Sequence, residues 1–516
     1  MALLMGLDIG STSIKANIYN EKGSLISSGS RPTILSHPDK EHSNWAIWHP
    51  EDIWNGVIKS ISEALKNINS KDDLKAISVT GFGMDGVPID KNGKWLYPFI
   101  SWHCPRTEQQ SKMWSQKVGA DNIFSITGKQ VMHIDTVYRI LWIKENYPEI
   151  LSKTYKWLLI EDYINFLLCG EISTDYSMAS CTSLLDQKTR DWSKELVDKA
   201  GFDIGILPPV RPSGTILGNI LPKISRDTGL PETVKVILGG HDYHCGALAV
   251  GAFKPEVIMD IVGTWEMVLQ SSSGAKLEPI VFKNGINVES HVARDMYNIV
   301  AYSVSGAMYE WLTNTLCIEE KIEAKNNNSS FWDIIRKKAS DAPVGSNGVF
   351  FAPYFFGAGT PIFDTRALGA FLGLTNNSDK SNFIRSVVEG LNYNFRDMLE
   401  AFEDAAGSGA KKIVAAGGAS QNEFWMQNKA DIIGKPIEIP AVKEETPRGA
   451  ALISGIGIGV YKNEEEAYAA TYKVGKVYEP DLNNNSLYND YYKIFKKIYP
   501  GLNEINNQIY EKFINR

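Results

Sequence analysis

The segment Asp8-Ile-Gly-Ser-Thr-Ser-Ile-Lys15 puts a carboxylate at the end of an apolar run and follows it at once with small residues bearing free backbone N–H groups and hydroxyls. That combination suits a phosphate and its metal: the amides and the Thr12 hydroxyl can bond phosphate oxygens while Asp8 holds Mg2+ through water. An Asx-type turn closing a hairpin would use the same residues. A second segment, Gly239-Gly-His-Asp-Tyr-His244, follows the apolar run Lys-Val-Ile-Leu. Its glycines allow a sharp turn after a strand and leave Asp242 near a helix start, where the carboxylate could take a proton from an attacking hydroxyl or cap the helix. His241 and His244 flank that acid, but their spacing recurs nowhere else in the chain, so a metal cluster of histidines is not indicated. In a third segment Gly417-Gly418 follows the run Lys-Ile-Val-Ala-Ala, and small residues there let a flat base or ribose lie against the backbone, with close helix packing as the alternative. No Walker-type Gly-Lys-Ser/Thr loop is present and no Gly-x-Gly-x-x-Gly opens a βα unit, which excludes a P-loop kinase and disfavours a dinucleotide enzyme.

The elements that must carry these segments alternate in kind. Ala2–Ile9 is apolar on both faces and reads as a buried strand. Residues 14–30 form two alternating stretches around Asn-Glu-Lys-Gly, a hairpin in which Gly23 suits the left-handed position. Helical periodicity runs from Pro50 to about residue 68, with acids in its first turn, and 74–82 returns to strand. Strands alternating with helices indicate an α/β layer architecture. A second strand-rich start comes at 257–269, where Asp260 and Thr264 repeat the interval of Asp8 and Thr12; two acid-then-Thr strand ends are what two related lobes would show, with a boundary near 246–256. The Asn-rich stretches 326–328 and 483–485 read as exposed loops.

Composition bounds the class. The chain has 516 residues, against a prior of roughly 150 per domain, and is 43% hydrophobic and 22% charged, so it folds as more than one globular domain. A formal net charge of -7 lacks the basic footprint of a nucleic-acid binder. Five dispersed cysteines (104, 169, 181, 245 and 317) without a CxxC pair indicate neither a disulfide framework nor a zinc site. The start of the chain lacks a signal-type h-region and no apolar run approaches a membrane span of roughly 20 residues, so the expected location is the cytoplasm, without membrane association.

Taken in order, the segments resemble the FGGY carbohydrate kinases, a branch of the actin-like ATPase superfamily. The likeness covers nearly the whole chain: the first phosphate loop at 8–15, VTGFGMDG (79–86), YPFISWHCPRT (97–107), GEISTDYSMASCTSLLD (170–186), GGHD (239–242), GTW (263–265), AAGGASQNEFWMQNKADIIG (415–434) and ETPRGAALISGIGIG (445–459). Within the family the sugar-side loops are most similar to L-fuculokinases. Many members have an acid where this chain has Cys104, a cysteine that fuculokinase-like sequences share, whereas the residues after Asp242-Tyr243 differ from that branch. The resemblance implies two actin-like (ribonuclease H-like) lobes, 1–250 for the sugar and the first phosphate loop and 251–516 for ATP with a C-terminal helical tail, and an active site in the cleft between them. It implies ATP and Mg2+ as cofactors, a small-molecule sugar as the partner, and a homodimer as an alternative to the monomer. Asp242 would be the general base, with Asp8 and Asp242 organising Mg2+. Asp8, Gly10, Ser11, Thr12, Lys15, Gly263, Thr264, Gly417, Gly418 and Asn422 would hold the nucleotide. Gly83, Met84, Asp85, His103, Arg106, Asp135, His241 and Asp242 would lie on the sugar side. The expected reaction is transfer of the γ-phosphoryl group to a hydroxyl of a ketose such as L-fuculose. Alternatives are another ketose or a polyol of the rhamnulose, xylulose, erythritol or glycerol type, or an inactive sugar-sensing module.

Overall fold

The computed structural model describes residues 2–38, 40–407 and 409–514. The first lobe is built on strands β1 (Leu3–Ile9), β2 (Ser13–Asn20), β3 (Leu25–Pro32), β4 (Leu74–Gly81), β5 (Ile216–Asn219) and β6 (Lys235–His241), which lie in the order β5-β6-β4-β1-β2-β3. The second lobe uses β7 (Val257–Val262), β8 (Trp265–Ser272), β9 (Asn287–Ser290), β10 (Tyr297–Val304), β11 (Lys412–Ala416), β12 (Ile437–Pro440) and β13 (Val474–Tyr478), in the order β9-β10-β8-β7-β11-β12-β13. Each sheet contains the same five-strand core. The founding strand pairs antiparallel with the next strand of a meander on one side and parallel with a crossover strand on the other. Two lobes of one topology therefore stand, as the recurrence near residue 257 suggested.

The residue types explain the layers. The parallel strands β1 and β4 are buried on both faces and read as near-continuous apolar runs (Met5, Leu7, Ile9; Ile77, Val79). Helix α1 (Pro50–Ala64) starts with Pro in its first turn and seats Ile53, Val57 and Ile61 against that sheet, each burial stabilising the fold by about 1.5–3 kcal/mol. Two helices, α2 (Asp242–Val250) and α7 in the second half of the chain (Glu445–Gly457), cross where a side chain could not fit: a Cβ on Gly449 would come 1.8 Å from the Cys245 carbonyl oxygen, and one on Gly6 of β1 equally close to that of Pro447. Helix α7 thus packs on the first sheet although it lies beyond residue 440. Between these two helices in the chain come α3 (Gly306–Leu316), α4 (Phe331–Asp341), α5 (Lys380–Ala406) and α6 (Glu423–Ile433) of the second lobe. Helix α8 (Leu482–Phe495) opens the C-terminal tail. The second core gathers Val262, Ile299, Leu391, Phe395 and Trp425 from these elements.

The Asn-rich stretch 483–485 is helix, not loop. Asp481 accepts the N–H groups of Asn483 and Asn484 at 2.8 and 3.1 Å, and the cap with its side-chain bonds to Asp431 outweighs the low helix propensity of Asn. No helix among the described residues is long and apolar enough to cross a membrane.

Candidate active site

Strand register assembles the first half of the site. In the parallel trio β1, β4 and β6, Ile9 lies opposite Gly81, and Gly81 opposite His241. All three chains leave the sheet at one carboxyl edge, which brings together Asp8, the loop Phe82–Asp85 and Asp242 from positions up to 234 residues apart in number. The second lobe repeats the device: Ile261 pairs with Ala416, so the Gly263-Thr264 loop and the Gly417-Gly418 turn leave one edge together.

At the first edge Asp8 is nearly buried, and burial first, then the charge of Asp242, raise its carboxyl to a pKa of about 8, with Lys15 working the other way. Its Oδ1 has no hydrogen-bond partner among the described residues. A buried oxygen without a donor, beside a second acid, fits a cation. No cluster of three or more His, Cys, Asp or Glu among the described residues could hold a metal alone, which suits Mg2+ taken with phosphate oxygens and water rather than in a protein cage. Gly10 donates its N–H to Ser13 to close the loop, Ser11 and Thr12 lie in the turn with Thr12 exposed, and Lys15 is ion-paired with Glu444 at 2.6 Å.

Asp242 is the first residue of α2 and a third exposed. It does not act as the helix cap: its Oδ1 accepts the adjacent Tyr243 N–H at 2.6 Å and lies 2.8 Å from His241 Nδ1. Both contacts fall on Oδ1, which leaves Oδ2 to take a proton. His241 is buried, with Nε2 accepting the Gly83 N–H at 3.0 Å. Burial opposes a charge on this ring, while Cys181 and Asp242 pull its pKa well above the ordinary value; a second proton on Nε2 would point at the Gly83 N–H, so the geometry holds the neutral ring.

The sugar-side residues separate into two groups. Asp85 is sealed from solvent and engaged by three donors: Arg139 at 2.9 Å, Trp48 Nε1 at 2.8 Å and the Trp102 N–H at 3.0 Å, with burial raising its carboxyl to about 6. Arg106 donates to Cys104 Sγ and the Tyr97 hydroxyl and lies over Trp45 at 4.3 Å, which gives Cys104 a structural partner as well. Met84 has a left-handed backbone (φ 72°), held by the Thr136 hydroxyl on its carbonyl. His103 is exposed on the same loop system, its ring tilted by 38° against that of Trp102 with centroids 3.7 Å apart. Asp135 is different in kind: it is fully buried, neither oxygen has a hydrogen-bond partner among the described residues, and Lys129 stands 3.9 Å away.

At the second edge a cavity of about 700 Å3 collects Gly263, Thr264, Gly418 and Asn422 with residues that no motif announces: Tyr309 and Thr313 of α3, Trp332 and Arg336 of α4. Glycine is required where α3 meets the loop. A Cβ on Gly306 would come 2.4 Å from the Gly263 carbonyl oxygen, and one on Gly417 2.7 Å from that of Val262. Asn422 caps α6 through Trp425 N–H. The Asp260–Thr264 interval does not reproduce Asp8–Thr12. Gly10 and Gly263 occupy the matching turn positions, so Ile261 is the counterpart of Asp8 and Asp260 points to the opposite face, buried against Lys429 at 2.7 Å. Sequence reasoning also missed Lys129 and Glu289, a buried ion pair between lobes at 2.7 Å.

Residues 3–249 match the N-terminal domain, and residues 259–458 the C-terminal domain, of the FGGY family of carbohydrate kinases. The chain is 27% identical to the xylulose kinase of Bacillus subtilis, with 99% of both chains covered, and 27% identical to the L-fuculokinase of Escherichia coli, with 90% of this chain and 95% of that protein covered. The structure of a xylulose kinase from Lactobacillus acidophilus superposes with a TM-score of 0.89 at 24% identity over 99% of this chain and all of that one, a likeness of fold.

Proposed function

Since the chain belongs to the FGGY family of carbohydrate kinases, and is an ATP-dependent phosphotransferase that uses Mg2+, we propose that it phosphorylates the primary hydroxyl of a ketose with Asp242 as general base. The observation that carries this reading is the meeting of Asp8, the Phe82–Asp85 loop and Asp242 at one sheet edge. Asp242 Oδ2 takes the proton of the attacking hydroxyl while Oδ1 stays anchored by Tyr243. Thr12 and Thr264, both exposed at their turns, bond phosphate oxygens. Mg2+ at Asp8 supplies charge neutralisation on the phosphates when bound. The 700 Å3 cavity takes the adenosine, and closure of the lobes keeps water from competing with the sugar hydroxyl.

On the sugar side, a buried polar group that finds no hydroxyl costs about 1–3 kcal/mol, so the open oxygens of Asp135 discriminate among ketoses. L-fuculose is the first substrate to test, from the likeness of the FGMDG and ISWHCPRT loops to L-fuculokinases. D-xylulose is the second, favoured by the full-length match to a xylulose kinase. A coupled ADP-release assay over L-fuculose, D-xylulose, L-rhamnulose, erythritol and glycerol decides: the expected result is the highest kcat/KM for a ketose, and a short polyol equal to or above every ketose overturns the reading.

A further inference from the structure

A cavity of about 490 Å3 lies in the first lobe between the helices Glu108–Val118, Thr136–Asn146 and Lys194–Ala200, a volume within the range of small-molecule sites. It shares no residue with the edge where Asp8 and Asp242 meet. Gln110 and Trp114 line it from one face of the first helix, a turn apart, and are only 5% and 2% exposed. Gln110 Nε2 donates to Glu145 Oε2 at 2.8 Å, and because a carboxylate only accepts, this contact fixes the amide and leaves Oε1 as its free end. Neither Gln110 Oε1 nor Trp114 Nε1 has a hydrogen-bond partner among the described residues. One buried acceptor and one buried donor thus stand on the same wall, and a hydroxyl, which donates and accepts, answers both.

Beside this pair the wall is cationic. Lys117 Nζ donates to the Lys199 carbonyl at 2.7 Å and Lys144 Nζ to the Ala200 carbonyl at 2.8 Å, so the end of the short helix holds both ammonium groups in place. Neither forms an ion pair with a carboxylate among the described residues, and each keeps further N–H donors. Lys199 is answered by Glu195 at 2.7 Å. Glu145, whose Oε2 is engaged by Gln110, is the acid of this wall, so positive charge prevails.

We propose that this cavity is a second small-molecule site, separate from the active site, that takes a phosphorylated polyol. A hydroxyl of the ligand bonds Trp114 Nε1 and Gln110 Oε1, its carbon chain lies along Met113 and Leu141, and its phosphate oxygens, acceptors only, meet the ammonium groups of Lys117 and Lys144. A neutral polyol leaves the two lysines without a counter-charge, and a bare phosphate ion leaves Gln110 Oε1 without a donor.

The test uses the full-length protein labelled with 5-fluorotryptophan, in which Trp114→Phe identifies the fluorine resonance of Trp114. Titration with sn-glycerol 3-phosphate or D-sorbitol 6-phosphate is expected to shift that resonance with a Kd at or below about 1 mM, and inorganic phosphate or D-sorbitol alone to bind roughly tenfold more weakly or worse. Lys117→Gln combined with Lys144→Gln should raise the Kd for the phosphorylated polyols by roughly tenfold or more, with kcat for the ketose unchanged. Asp242→Asn should leave the Kd read at Trp114 as it is. A Trp114 resonance that neither phosphorylated polyol moves overturns the proposal. So does a shift of equal affinity with inorganic phosphate, which makes the cavity a plain anion site, or with D-sorbitol, which removes the lysines from recognition. If W114F fails to fold, calorimetric titration of the native protein against K117Q/K144Q decides: loss of a binding event in the double variant supports the site, and identical isotherms overturn it.

Discussion

Lys129 of the first lobe and Glu289 of the second meet with Nζ and Oε1 2.7 Å apart, both sealed from solvent. The other oxygen of Glu289 accepts the Tyr243 hydroxyl at 2.5 Å and lies 3.0 Å from His244 Nε2. The helix that begins with Asp242 is thus gripped by a charge from across the cleft. Burial works against that charge, but Lys129 and His244 hold the Glu289 carboxyl well below the usual range. Removing one partner strands the other, so Lys129→Met should cost roughly 3–5 kcal/mol, whereas K129M combined with Glu289→Gln, which keeps an acceptor for Tyr243 without the charge, should recover much of it. Denaturation midpoints compare the three proteins; a double variant as unstable as K129M would show that charge is not what matters.

Asp135 gives a pH dependence whose sign follows from its surroundings. Burial first, against the pull of Lys129 and Arg139, raises its carboxyl to about 7, compared with about 3.9 in an unfolded chain. Between those values the folded protein binds the proton more tightly than the unfolded one, so this group's contribution to stability falls as pH rises from about 4 to about 7. Asp135→Asn removes that slope. The difference in melting temperature between D135N and the native protein should move in favour of the variant across that window, and a difference independent of pH would place the titration elsewhere.

The cavity of the second lobe offers Trp332, half exposed and stacked near Tyr309 with ring centroids 6.0 Å apart and an interplanar angle of 18°. If the cavity takes the adenosine as proposed, Trp332 is its open wall and should contribute to ground-state binding. Trp332→Ala is expected to raise the KM for ATP about tenfold, corresponding to about 1.4 kcal/mol, with kcat and the KM for sugar nearly unchanged. Steady-state kinetics with each substrate varied in turn checks this, and a fall in kcat at unchanged KM would give the tryptophan another role.

What the sequence shows and hides follows from how each feature is encoded. The strand ends at Asp8, Asp242 and Gly417 were legible because a buried parallel strand is a short apolar run and the turn after it needs glycine, both local signals. The hairpin at Gly23 and the start of α1 at Pro50 are local too. Lys129 and Glu289 carry no such signal: each is a lone charged residue whose partner lies 160 positions away, and only the meeting of the two sheets creates the pair. The same holds for Trp332 and Arg336, which reach the cavity because α4 packs near α6. Asp260 shows the reverse error, a spacing that matched while strand alternation turned the side chain to the other face. Arg106 and Asp85 looked like ligands from their loops, and the fold surrounds each with protein partners.

Asp8 should separate function from stability. With its carboxyl raised to about 8, the group is largely protonated and neutral at pH 7 in the free protein, and its Oδ1 lacks a donor. Asp8→Asn replaces a neutral acid with a neutral amide of the same shape, so the melting temperature should be unchanged or higher, since a buried carboxyl near Asp242 is a liability to the empty site. Turnover should behave in the opposite way. With Asp8 in its proposed role at Mg2+, loss of that oxygen removes charge neutralisation where this reaction class depends on it most, and kcat should fall by a factor on the order of 10² or more while sugar affinity is retained. The dependence of rate on Mg2+ concentration should also flatten or move to higher metal. A D8N protein that keeps the native rate and native Mg2+ dependence would reduce Asp8 to a turn residue; one that melts several degrees lower would show that the carboxylate is paired in the free protein, against the geometry described above.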